Sequence, residues 1–145
     1  PYTLCVKQHP VAIGQHTPGE LHQLQSEQNN VKFIDPKLSP STLFDDAAAV
    51  VTIRSTIGLE ALLHGCNVVT FGDPYYAKTG ATISASFDEI KRPLIKSVQN
   101  DGPTPAEVED LVSYLWESSY AGDTMGRLEQ WNISCLVTGI ESLVE

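Results

Sequence analysis

Three short groups of residues have the types and spacing that bind anions or hydroxyls. The first is Arg54-Ser55-Thr56-Ile57-Gly58, with Glu60 two residues further on. It follows an apolar run and opens a helical pattern. The first amides of a helix lack partners, and the helix dipole adds positive potential there, so such a turn suits a phosphate. Ser55 and Thr56 add neutral donors, Gly58 lets a phosphate come close, and Glu60 suits the hydroxyls of a ribose or sugar. An ordinary reading stands beside each: a Ser or Thr cap with nothing bound, and an acid that complements the dipole. Arg54 suits a carboxylate or phosphate on the ligand, or an acid nearby.

The second group is Lys7-Gln8-His9-Pro10, at the end of a strand pattern. Lys7 and His9 alternate and so share a face. A histidine here suits donation to a phosphate or service as an acid; the alternative is a plain polar strand end. The third group is Gly72-Asp73-Pro74-Tyr75-Tyr76, with Lys78 following. Its aromatic pair suits stacking on a base or sugar, or packing of a long loop onto the core. There is no GxxxxGK[ST] and no GxGxxG, which argues against a P-loop ATPase and a standard dinucleotide fold. No HxxxH or HExxH occurs, and Cys5, Cys66 and Cys135 match no zinc or CxxC spacing, so no metal is expected.

These groups need elements to position them. Strands are predicted at 2–7, 31–34, 47–53 and 67–71, the last two apolar enough to be covered on both faces. Helices are predicted at 18–28 with Thr17 as cap, and briefly at 41–46 with Ser39 or Ser41 as cap. A further helix spans 56–64 and stops at Gly65. Residues 73–88 read as a long loop, and 89–95 as a short strand demoted by Pro93. Thr104 caps a strong helix running to about residue 119, a break follows at 120–124, and 126–145 form a C-terminal helix. Alternating strands and helices imply an α/β fold, a parallel sheet covered by helices in three layers. Such sheets bind ligands beyond the C-terminal strand ends, where all three groups fall.

The chain has 145 residues, which suits one domain, 1–145. Nine Lys and Arg against eighteen Asp and Glu give a net charge of -9, which argues against nucleic-acid binding. Cys5 and Cys66 sit in apolar runs and are expected to be buried thiols in a reducing compartment. No apolar run approaches the ~18 residues of a membrane span. The start, PYTLCVKQHP, lacks an initiator Met and any signal-peptide pattern, so a fragment of a longer chain is expected.

With "VKQHP" at 6–10 and "STIGLEALLHGCNVVTFGDPYYAKTGAT" at 55–82, the chain resembles the nucleotide-binding half of capsule polysaccharide glycosyltransferases. The likeness is to the KpsC/KpsS (LipB-like) group, which contains Kdo transferases using CMP-Kdo. Ser-Thr stands here where that group usually has Ser-Ser. The resemblance covers the first 82 residues. It implies a Rossmann-like domain, the C-terminal, donor-binding half of a GT-B enzyme. It assigns His9 and the Ser55-Thr56 turn to the CMP phosphate and ribose, as in the similar motifs of bacterial sialyltransferases.

The expected function is donor binding in an inverting, metal-independent transferase, with no cofactor beyond the nucleotide-sugar. The isolated chain is expected to bind CMP and transfer nothing. The glycan or glycolipid acceptor and the general base are expected upstream. The expected location is the cytoplasm, with peripheral association at the inner face of the bacterial inner membrane. Two alternatives stay open: a CDP-glycerol transferase of teichoic acid type, and a non-catalytic α/β binding or regulatory module.

Overall fold

The computed structural model describes residues 2–119 and 129–143. The chain divides into two compact units, Pro1–Asp46 and Ala47–Glu145. Both are α/β, and every strand pairing in them is parallel, an arrangement compatible with a Rossmann-like fold.

In the first unit, β1 (Leu4–Lys7) pairs with β2 (Val31–Ile34), Leu4 opposite Val31 and Lys7 opposite Ile34. A 3-10 turn follows β1 at Pro10–Ala12. Helix α1 (Pro18–Glu27) packs on β2. Thr17 caps it as expected, and Glu20 completes the cap by accepting from the Thr17 amide at 2.7 Å. Helix α2 (Ser41–Phe44) is a single turn whose cap position is Pro40, without a side-chain bond. The expected serine cap is therefore replaced: Ser39 contributes its carbonyl, which accepts from the Thr42 amide and hydroxyl. Cys5 is exposed, against expectation, and so is Leu4. Helix α1 packs on β2, and Leu4 and Cys5 of β1 stay exposed, so an apolar run alone does not bury a residue there.

In the second unit the sheet order is β3 (Val50–Thr52), β4 (Val68–Phe71), β5 (Ile83–Ala85). Helix α3 (Ile57–Leu63) packs on β3 and β4, and α4 (Lys91–Gln99) on β4 and β5. The core gathers around the central strand: Ala61, Leu62, Val68, Val69, Tyr76 and Leu111 are buried. The strand expected at 67–71 is covered. The one expected at 47–53 is shorter and lies at the sheet edge, which leaves Val51 and Ile53 exposed. Gly65 ends α3 with a φ of 78°, the left-handed turn that favours glycine.

Two predicted boundaries are corrected. The loop expected at 73–88 contains a 3-10 turn, Tyr75–Ala77, and all of β5. Three residues are too few for an alternation to show in the sequence. The segment expected as a strand at 89–95 begins α4, because Pro93 falls in the first helical turn, where no backbone donor is needed. Helix α5 (Pro105–Glu117) starts at the Thr104 cap, as expected. Helix α6 (Gln130–Glu141) lies within the expected C-terminal helix. The break at 120–124 and residues 126–128 lie outside the described residues, as do 144–145. No helix among the described residues is long and apolar enough to cross a membrane.

Candidate functional site

The three strands of the second unit end at one edge. Thr52, Thr70 and Ser84 stand side by side in register, so Arg54 and Gly72 leave their strands at the same level. The Arg54 stem runs past Gly72: its Cγ and Cδ lie 4.0 Å from where a Cβ on Gly72 would stand. Gly72 has a φ of 81°, so the chain turns sharply there. The Arg54 side chain is exposed, and its guanidinium has no hydrogen-bond or ion-pair partner among the described residues.

Ser55 organises the turn. Its amide donates to Thr52 Oγ1 at 3.3 Å, and its Oγ accepts from the Ile57 amide at 3.4 Å. Its carbonyl accepts from the Gly58 amide at 3.1 Å and from the Tyr76 hydroxyl at 2.6 Å. The Ser55 hydroxyl proton remains available for donation outward. Two expectations change. The Ile57 and Gly58 amides, read as open donors for a phosphate, are engaged by Ser55 itself. Of the Ser or Thr cap offered as the ordinary reading, Thr56 makes no cap bond and is exposed.

Gly58 and Tyr76 also need correction. A Cβ on Gly58 would lie 2.3 Å from the Tyr76 hydroxyl oxygen and 2.8 Å from Cζ. The glycine therefore gives clearance to a tyrosine, and Tyr76 takes the space assigned to a phosphate. Tyr76 is 0% exposed, so it offers no face for stacking. Burial pushes its phenol above the ordinary value of 10.0, which keeps it a neutral donor. Tyr75 meets it edge to face at 5.2 Å and is itself half-exposed.

Pro74 is buried and leads into the 3-10 turn. Lys78 is held by Asp73, and that hydrogen bond raises the pKa of the ammonium. Glu60 sits exposed in the first turn of α3. One residue was missed. Phe87, just past β5, is 75% exposed and stacks on Phe71 at 4.4 Å with rings 10° apart. It brings an aromatic face to the same strand edge, and a three-residue strand leaves no period in the sequence to mark that place.

In the first unit, His9 caps the 3-10 turn: its Nδ1 accepts from the Val11 amide at 3.2 Å. The ring hydrogen then sits on Nε2, a donor on an exposed side chain. Lys7 Nζ donates to the Pro36 carbonyl at 2.8 Å, so its ammonium is already engaged. A cavity of about 150 Å³ lies in the same unit. Val6, Leu21, Phe33, Ile34 and Pro36 line it, with Gln8 and His16 as polar members. Among the described residues, no group of three or more His, Cys, Asp or Glu could hold a metal ion.

Comparison with known proteins adds the biological setting. The family described as "Capsule polysaccharide biosynthesis protein" matches residues 1–99. The chain belongs to this family. It is 31% identical over 126 residues to "Capsule polysaccharide modification protein LipA" of Neisseria meningitidis serogroup A / serotype 4A. That alignment covers 85% of the chain and 17% of the relative, so the chain spans about a sixth of the relative's length. The LipA of serogroup B is 35% identical over 79 residues, covering 54% of this chain and 11% of that one. "Protein FixF" of Sinorhizobium fredii is 39% identical over 75 residues, covering 49% and 16%. No solved structure gives a significant match.

Proposed function

We propose that this chain supplies nucleotide-sugar binding groups to a capsular polysaccharide glycosyltransferase whose donor is a CMP-sugar such as CMP-Kdo. One observation carries the reading. At the shared C-terminal edge of three parallel strands, Arg54, whose guanidinium has no hydrogen-bond or ion-pair partner among the described residues, is followed in the chain by Ser55, whose hydroxyl keeps a proton to give. Strand ends of this kind are where α/β sheets bind ligands, and membership of the capsule family supports a polysaccharide product.

In this reading the chemistry is displacement of CMP from the anomeric carbon of the donor. The sugar–oxygen bond breaks, the acceptor oxygen bonds to that carbon, and the leaving phosphate gains charge. Arg54 and the Ser55 hydroxyl offset that charge, an interaction that strengthens as the bond breaks. Glu60 accepts from ribose or sugar hydroxyls, and Phe87 and Tyr75 give aromatic faces. The acceptor and the base that activates it belong to other parts of a longer protein, peripheral to a membrane.

The test is CMP release by the full-length protein given CMP-Kdo and a capsule-type acceptor. Ser55→Ala should lower kcat/KM by about 100- to 1000-fold, the range for losing a donor that acts on developing charge. Turnover equal to wild type in Ser55→Ala would remove Ser55 from the mechanism.

A further inference from the structure

Tyr76 is buried, has no access to solvent, and yet spends its only polar atom on a residue of the strand-to-helix turn. Its hydroxyl donates to the Ser55 carbonyl across 21 positions of sequence at 2.6 Å, a short bond for two neutral groups. The ring occupies the gap left by Gly58, so the contact is seated from both sides. The bond also joins two segments that leave adjacent strands: Ser55 follows β3 and Tyr76 follows β4. The Ser55 amide is held separately by Thr52 Oγ1. Both ends of this one residue are therefore fixed, while its hydroxyl points to a bond with Ile57 and keeps one proton to give.

We infer that Tyr76 is a positioning residue that acts through Ser55: it holds the Ser55 backbone so that the hydroxyl presents its proton to the donor phosphate. The inference rests on the donor-binding reading and replaces the expectation that Tyr76 stacks on the ligand. It needs no direct contact between Tyr76 and a nucleotide, which its burial forbids.

A double-mutant cycle on the full-length protein tests it, with CMP as the probe in calorimetric titrations. Tyr76→Phe keeps the ring and removes one hydrogen bond, and should weaken CMP binding by about fivefold, the loss of roughly one net bond. Ser55→Ala removes the hydroxyl that Tyr76 is said to aim. If Tyr76 acts through Ser55, adding Tyr76→Phe to Ser55→Ala should cost little further affinity. A purely structural tyrosine would lower thermal stability and leave the two losses additive.

Gly58→Ala approaches the contact from the opposite side by pushing the ring off Ser55, and should match Tyr76→Phe in direction. Wild-type affinity in Tyr76→Phe, or additive losses in the double mutant, overturns the inference and leaves the donor reading standing. If the wild-type protein binds no CMP, the donor reading fails and the inference falls with it.

Discussion

Single residues in this chain are explained by what their atoms touch, and several proved to touch something other than their type suggests. Arg54, Ser55 and His9 stand out in the sequence because a cation, a hydroxyl and an imidazole follow apolar strand patterns, and the structure places all three exposed just past strand ends. Gly58 was legible as a close approach, yet the sequence does not reveal what approaches. Tyr76 comes from a distant segment, and no local pattern announces a contact across 21 positions. Lys7 donates to the Pro36 carbonyl and Lys78 to the Asp73 carboxylate, contacts that the sequence does not announce.

Thr70 gives a prediction at this scale. It is 0% exposed, and its hydroxyl has no hydrogen-bond partner among the described residues. An orphaned buried hydroxyl costs stability, and valine has nearly the same shape. Thr70→Val should therefore raise stability by about 1 kcal/mol, measured by thermal or denaturant unfolding. A loss of similar size would mean that the hydroxyl is satisfied in solution.

At the scale of elements, ends were easier to read than short interiors. Thr17 and Thr104 were both found as caps because a Thr-Pro pair before a helical stretch is a local signal. The reciprocal glutamates, Glu20 and Glu107, follow the same three-residue spacing and complete both caps. Strand β5 escaped because Ile83–Ala85 is too short to show a period. Helix α4 escaped because proline was weighed against a strand, although its place in the first turn suits a helix.

The α5 cap makes a prediction with a defined pH dependence. The Thr104 amide and hydroxyl both donate to the Glu107 carboxylate, at 2.8 Å each, and hold its pKa below the ordinary 4.5. A carboxylate whose folded pKa is depressed contributes stability above its unfolded pKa. The contribution is lost as pH falls through the folded value. Thr104→Ala should destabilise the protein at neutral pH by about 1 kcal/mol, the usual loss of a cap. The gap between wild type and variant should shrink as pH drops below 4.5. Melting curves across that range measure it, and a gap that widens in acid would contradict the cap's role.

For the whole molecule, alternation of strands and helices was enough to foresee parallel α/β architecture. It was not enough to foresee that the strands form a pair and a triplet rather than one row. Pairing partners depend on which edges meet in space, and a single sequence read locally does not contain that. The quoted motifs, which join a strand end, a helix start and a loop, all lie inside the matched family range. The matched family covers residues 1–99, and these include every residue assigned to the candidate site. Helices α5 and α6 lie beyond that range and carry the rest of the second unit.

The central claim is that the edge formed by Arg54, Ser55 and their neighbours binds the nucleotide of a sugar donor. Calorimetric titration of the full-length protein with CMP tests it most directly. CDP-glycerol and a UDP-sugar serve as competitors that separate donor classes. The account predicts saturable CMP binding that Arg54→Ala weakens by about tenfold, the loss of a charge-assisted contact of roughly 1.4 kcal/mol. The same affinity in Arg54→Ala as in wild type, or no CMP binding by the wild-type protein, would contradict it.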